Sequence, residues 1–164
     1  SAGRGSRVTG ARLQRSEHRE AESVLYPAFV ADTCHDGGVR SFSEMLASDS
    51  FAVLLGIGLV SEDPLSLTLT LDQRHQNFHG VTHGGVVFSL ADCAFALAAN
   101  RQGDRAVAID THLVLPGGSQ SGDVLTAVAE ETTRGRTIGT YRVTVKRGDG
   151  RTVGLFTGTV HISS

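Results

Sequence analysis

The stretch Asn77-Phe78-His79-Gly80-Val81-Thr82-His83-Gly84-Gly85 runs directly into Val86-Val87-Phe88-Ser89-Leu90-Ala91-Asp92-Cys93-Ala94-Phe95-Ala96-Leu97-Ala98-Ala99-Asn100. The second part reads as one helix that is apolar on almost every side, with a single carboxylate, Asp92, in its middle. Such a helix is expected to be buried all round. An ionised Asp buried without partners costs several kcal/mol or more. Asp92 therefore has either a partner or a reactive role, and the reactive role is the simpler reading.

Two glycines open this helix. Gly84 and Gly85 leave backbone N–H groups unobstructed at a helix N-terminus, where the dipole favours negative charge. That is an oxyanion site in embryo; the plainer explanation is that small residues let the helix approach a sheet. Asp92 stands eight residues beyond Gly84, about 12 Å at the helical rise per residue, so the two cannot act on one carbonyl carbon within one chain. Two copies of the helix packed antiparallel across a two-fold axis bring the carboxylate of one toward the N-terminus of the other, which predicts a homodimer with two composite sites. Asn77, in the irregular lead-in, either orients a water or substrate atom or is chosen for its turn conformation. Ser89, one turn before Asp92, either steadies the carboxylate or bonds its own helix. His83 is read as a structural residue holding the loop before Gly84.

Outward from this stretch the chain is mostly strands. A helix capped by Ser43 is expected through Leu55, stopped by Gly56. Ile57 to Val60 reads as a strand, Glu62-Asp63-Pro64 as a turn, and Leu65 to Leu71 alternates apolar and polar residues strictly, so one face of that strand must be buried. Strand-like runs follow at Arg105–Leu115, Val124–Thr133, Thr137–Lys146 and Thr152–Ile162. Arg134-Gly135-Arg136 and Arg147-Gly148-Asp149-Gly150 make the last three an antiparallel meander. The expected fold class is α+β, with an antiparallel sheet wrapped around one long central helix, the economical way to bury it. Residues 1–42 are expected to form an N-terminal extension, linker-like at its start and with a helix between Leu13 and Val30; residues 43–164 form the domain.

The whole chain has 164 residues, enough for one domain with a sizeable core. Its 40% hydrophobic and 20% charged residues are ordinary for a soluble protein. No run is long and apolar enough to span a bilayer and no secretory signal opens the chain, so no membrane partner and a cytoplasmic location are expected. The first 43 residues carry six Arg against five acids and the remainder nine basic against twelve acidic residues, so no basic face points to nucleic acid. Cys34 and Cys93 form no C-x-x-C pair and read as free thiols. His75, His79 and His83 are four apart, as helical metal ligands are, but Gly80 interrupts the row and no nearby carboxylate completes a set, so no metal is expected. No Gly-x-Ser-x-Gly elbow marks a serine nucleophile, and Cys93 has no evident His partner.

Asn77, His83-Gly84-Gly85, Phe88-Ser89-Leu90-Ala91-Asp92 and Ala94-Phe95-Ala96 together resemble the hot-dog-fold acyl-CoA thioesterases of the phenylacetic-acid-degradation (PaaI) type. The likeness runs from about Met45 to Ile162 and includes Gly122-Asp123-Val124-Leu125-Thr126-Ala127 and Arg134-Gly135-Arg136-Thr137-Ile138-Gly139. It implies a helix wrapped by an antiparallel sheet, dimers pairing sheets edge to edge, and a dimer of dimers. It also implies that Asp92 is the catalytic carboxylate, supplied by the neighbouring subunit, that the Gly84 amide binds the thioester oxygen, and that Asn77 positions water or thioester. One stretch departs from the family's apolar-Arg-Pro-Gly turn: Leu115-Pro116-Gly117-Gly118-Ser119-Gln120-Ser121-Gly122 has no Arg and the Pro displaced.

The expected reaction is hydrolysis of an acyl-CoA, phenylacetyl or hydroxylated aryl groups favoured, with coenzyme A as part of the substrate and no further cofactor. Asp92 acts as general base or attacks directly as nucleophile. His83, Gly85 and Ser89 are expected around the substrate, and Arg134 and Arg136 on the CoA phosphates. The rivals are a hot-dog hydratase or dehydratase and a catalytically inactive acyl-CoA-binding or regulatory protein.

Overall fold

The structure, a computed structural model, describes residues 39–163. The helix expected between Leu13 and Val30, and Cys34, lie outside these residues. Two short helices, α1 (Phe42–Ser48) and α2 (Ser50–Leu55), precede strands β1 (Gly58–Glu62) and β2 (Leu65–Thr70). A 3₁₀ turn, Gln73–His75, leads toward α3 (Gly84–Ala99), and β3 (Arg105–Val114), β4 (Val124–Arg134), β5 (Ile138–Arg147) and β6 (Thr152–Ser163) complete the domain. All pairings are antiparallel in one sheet of order β1-β2-β4-β5-β6-β3. This is the expected α+β class, one sheet against one long helix.

The alternation in β2 sends Leu65, Leu67, Leu69 and the following Leu71 into the core, each at most 3% exposed. Burying a leucine of this kind contributes about 1.5–3 kcal/mol. The meander forms as expected; Gly150, at φ 86°, closes the β5–β6 turn by donating its N–H to the Arg147 carbonyl at 2.8 Å. A side chain other than glycine is strained in that conformation. β3 does not pair with β4, its successor in sequence, but crosses to the far edge beside β6.

One helix from Ser43 to Leu55 is not what forms. Asp49 is extended (φ −85°, ψ 98°) and splits it, ending α1 and capping α2, with its carboxylate accepting from the N–H groups of Phe51 and Ala52 at 3.0 Å each. The front cap is Ser41, not Ser43: Ser41 and Glu44 make a reciprocal capping box. Gly56, at φ 77°, ends α2 as expected.

Nor is α3 buried all round. Val87, Leu90, Ala91, Ala94, Phe95 and Leu97 face the sheet, and Phe95 packs between Tyr141 and Phe156 with ring centroids 5.6 and 5.4 Å away. Gly85, Ser89, Asp92 and Ala96 recur at helical spacing on the other side and are half-buried or exposed. A single sheet covers only one side of a helix. Where β6 meets α3 the contact is close enough to require glycine: a Cβ on Gly158 would stand 2.7 Å from the Phe95 ring and 2.9 Å from the Phe156 ring. Gly158→Ala is expected to lower stability by about 1–3 kcal/mol through overpacking. Thermal unfolding checks this, with Gly118→Ala as control because its Cβ would meet nothing within 4 Å.

Candidate active site

α3 carries both Gly84, at its first position, and Asp92. Asp92, in its third turn, is half-buried, and no described residue hydrogen-bonds its carboxylate. Burial pushes its pKa above the ordinary aspartate value, and the Asp49 carboxylate at the α2 N-terminus pushes it further in the same direction. The neighbouring Cys93 is buried and its thiol is pushed up to about 12, first by desolvation and then by Asp49 and Asp92, which leaves it protonated and inert.

At the start of α3, His83 is the N-cap and its Nδ1 accepts the Gly85 N–H at 2.9 Å. That bond requires a neutral ring with Nδ1 unprotonated. It also corrects the expectation that both glycine amides are open: Gly85 is occupied by the cap. The Val86 N–H goes to the His83 carbonyl at 2.9 Å. Of the Gly84, Gly85 and Val86 N–H groups, that of Gly84 alone is left without an acceptor among the described residues, at the positive end of the helix dipole. Both glycines also have steric reasons: a Cβ would stand 2.9 Å from Leu115 Cδ1 at Gly84 and 2.9 Å from His83 Nδ1 at Gly85. The close-approach explanation and the amide explanation thus hold together.

The lead-in loop is tied at several points. Asn77 and Val81 are joined by a 2.8 Å backbone bond, Gly80 donates to the Asn77 carbonyl at 3.0 Å, and Gln76 bridges Thr82. His83 donates to the His75 carbonyl at 2.8 Å, and Thr82 to that of Ser119 at 3.1 Å. The Asn77 side-chain oxygen accepts the His79 N–H at 2.8 Å, the turn role, which leaves its NH₂ group without an acceptor among the described residues. Ser89 donates to the Gly85 carbonyl at 2.8 Å, so its proton serves its own helix and not Asp92. The three histidines diverge: His75 is buried with Nδ1 accepting the Asp72 N–H, His79 stacks on Phe78 and His83 caps α3.

Arg134 is not a free phosphate ligand. Its side chain is 11% exposed and donates to the Ala99 carbonyl at 3.0 Å, Tyr141 Oη at 2.7 Å and Asp104 Oδ2 at 2.8 Å. It satisfies the C-terminal end of α3, about 22 Å along the helix from Gly84. Arg136 is exposed in the β4–β5 turn. Arg134→Met is expected to cost about 2 kcal/mol, because three acceptors lose a charged donor, while turnover per folded molecule stays unchanged; urea denaturation and active-fraction kinetics check both. A cleft of about 570 Å³ lies at this same end, lined by Phe42, Pro64, Arg101, Glu131, Tyr141 and neighbours, and none of Asn77, Gly84 or Asp92 borders it.

Sequence reasoning missed Asp49 as a neighbour of Asp92, although an Asp followed by an apolar run is an N-cap signal. Within one chain Asn77, His83 and Gly84 lie together, and Asp92 stands about 12 Å further along the same helix. The site can bind an oxyanion at one end of α3 and activate water near the middle of it, but not on the same atom.

A family model described as the thioesterase superfamily matches residues 79–154. The acyl-coenzyme A thioesterase PaaI of Escherichia coli is 38% identical over 119 residues, covering 71% of this chain and 85% of that protein. A protein of Deinococcus radiodurans is 41% identical over 114 residues, covering 68% and 77%. The solved structure of the E. coli PaaI protein superposes with a TM-score of 0.71 at 36% identity, covering 74% of this chain and 90% of that one.

Proposed function

Because this chain belongs to the thioesterase superfamily and is a thioester hydrolase with the hot-dog fold, we propose that it hydrolyses acyl-CoA at composite sites formed by two protomers. The observation that carries this is a half-buried Asp92 on the same helix as the Gly84 N–H, neither having a hydrogen-bond partner among the described residues. A two-fold arrangement of α3 presents Gly84 of one protomer to Asp92 of the partner subunit. The stripe Gly85-Ser89-Asp92-Ala96 that the sheet leaves uncovered suits such a contact, as does the edge strand β3 with Val107 and Ile109 52% and 59% exposed. A dimer of dimers is the next level expected from the resemblance.

The thioester oxygen accepts the Gly84 N–H, and the helix dipole stabilises the charge that develops there. Asp92 of the partner subunit takes a proton from water as the water oxygen bonds to the carbonyl carbon. The tetrahedral intermediate collapses, the C–S bond breaks and CoA leaves as a thiolate, which at a thiol pKa of about 8.5 needs no strong acid. In this reading the NH₂ group of Asn77, which has no acceptor among the described residues, holds the water or the thioester. No metal or redox group enters these steps. Direct attack by Asp92 would instead form an anhydride; when water opens it at the Asp92 carbonyl, a single turnover in ¹⁸O-water places label in the Asp92 carboxylate, which a general base never acquires.

The names of the PaaI relatives favour an aryl-acetyl substrate. A thiol-release assay across aromatic, aliphatic and dicarboxylic acyl-CoAs tests the function; no release from any of them would leave only a binding role. Among the described residues no helix is long and apolar enough to cross a membrane.

The base must be ionised to act, and its pKa is raised. Activity is therefore expected to fall as pH drops through a value above the ordinary aspartate range. An acid limb of kcat/KM at or below that range would count against Asp92 as the base.

A further inference from the structure

Leu115 stands beside Gly84, the residue whose N–H is the proposed oxyanion donor. Its Cδ1 lies 2.9 Å from the point a Gly84 Cβ would occupy, so the Leu115 side chain covers the Cα side of the residue whose N–H is open. It is nonetheless 48% exposed, with the adjacent Val114 46% exposed, and neither is part of the buried core. From Val114 to Gly122 no residue carries a charge. The 3.1 Å bond from the Thr82 N–H to the Ser119 carbonyl ties the lead-in loop to the loop that follows Leu115. In the lead-in loop itself, Phe78 and Val81 are 92% and 48% exposed. A carbonyl oxygen at hydrogen-bond distance from the Gly84 N–H keeps its first acyl carbons within van der Waals reach of this hydrocarbon surface.

Building on the thioesterase reading, we propose that Leu115 determines acyl specificity, selecting acyl groups that stay apolar over their first several carbons and rejecting short ones that end in a carboxylate. An apolar acyl chain loses water contact against Leu115, whereas a carboxylate in the same place loses hydration and gains no partner. A difference of a few methylenes in such a pocket discriminates by about tenfold or more.

The test compares phenylacetyl-CoA with succinyl-CoA on the full-length protein, as kcat/KM and, by calorimetry with the Asp92→Asn protein as background, as binding. Wild type is expected to favour phenylacetyl-CoA by at least about a hundredfold. Leu115→Gln, close in size but polar, and Leu115→Arg are each expected to narrow that ratio by at least about tenfold, the Arg variant by raising the succinyl-CoA value. Inhibition by free CoA should stay within about twofold of wild type, since Leu115 faces the acyl group and not the nucleotide. Equal loss for both substrates in both variants, or a parallel loss of CoA inhibition, would overturn the assignment. If wild type hydrolysed neither substrate, the thioesterase reading would fall by itself, and the calorimetric ratio would still decide Leu115: an unchanged ratio, or no binding of either compound, refutes it.

Discussion

Asp92→Asn is expected to lower turnover by at least about a hundredfold, the usual contribution of a positioned general base. The amide keeps the shape of the carboxylate, and no hydrogen bond from a described residue is lost with the charge. Stability should move the other way. A raised pKa means that the folded state favours the neutral acid, so the ionised form at neutral pH opposes folding. That stabilising contribution is complete below the unfolded-state pKa and is lost as pH rises through the folded-state value. The Asn protein should therefore melt at or above the wild-type temperature at pH 7, and the difference should vanish in acid. Calorimetric scans at both pH values and steady-state kinetics check the pair of effects. Full activity in the Asn protein refutes the base assignment; a large loss of stability shows that Asp92 is a structural group instead.

Gly84→Pro removes the other half of the chemistry, and the backbone permits it. Proline is favoured at the first position of a helix because its missing N–H is one the helix does not use. His83, before it, is already extended (φ −65°, ψ 130°), as a residue preceding proline must be. The proposed oxyanion donor disappears, at an expected cost of about 10²–10³ in kcat, and the proline Cβ presses on Leu115 Cδ1 as an alanine Cβ does. Gly84→Ala is the control, since it adds the Cβ that presses on Leu115 Cδ1 but keeps the amide; its loss should be smaller by at least about tenfold. If sites are shared, mixing the inactive Asp92→Asn and Gly84→Pro proteins regenerates a wild-type pair in one of the two sites of each mixed dimer. Measurable activity from two inactive parents is the expected outcome. Silence after verified subunit exchange would place both groups within one protomer's site and break the composite arrangement.

Much of this could be read along the chain. The alternation of Leu65, Leu67, Leu69 and Leu71 placed β2 on the core, the glycine-rich turns set the meander, and the apolar run after Gly84 set a helix that starts and stops where expected. These are local signals, carried by period and turn chemistry. Asp92 stood out by the same logic, as the one charge in an apolar helix. The break at Asp49 was equally local but was overridden by the amphipathic repeat on either side of it, and its closeness to Asp92 depends on α2 folding against α3.

Other features have no local signal. β3 lies beside β6 because of the order of the sheet, not because of its neighbours in sequence. Arg134 looked like a surface-turn arginine until β4 carried it to the last turn of α3, where carbonyls without partners draw a cation. Which of the two glycine amides stays open was decided by the His83 ring taking one of them. Sequence by itself determined the element types, the core face of the β2 strand and the identity of the lone acid, because these follow from periodicity and from residue chemistry within a few positions. Tertiary structure alone decided which polar groups remained unpartnered, because that depends on what distant segments bring to each donor and acceptor.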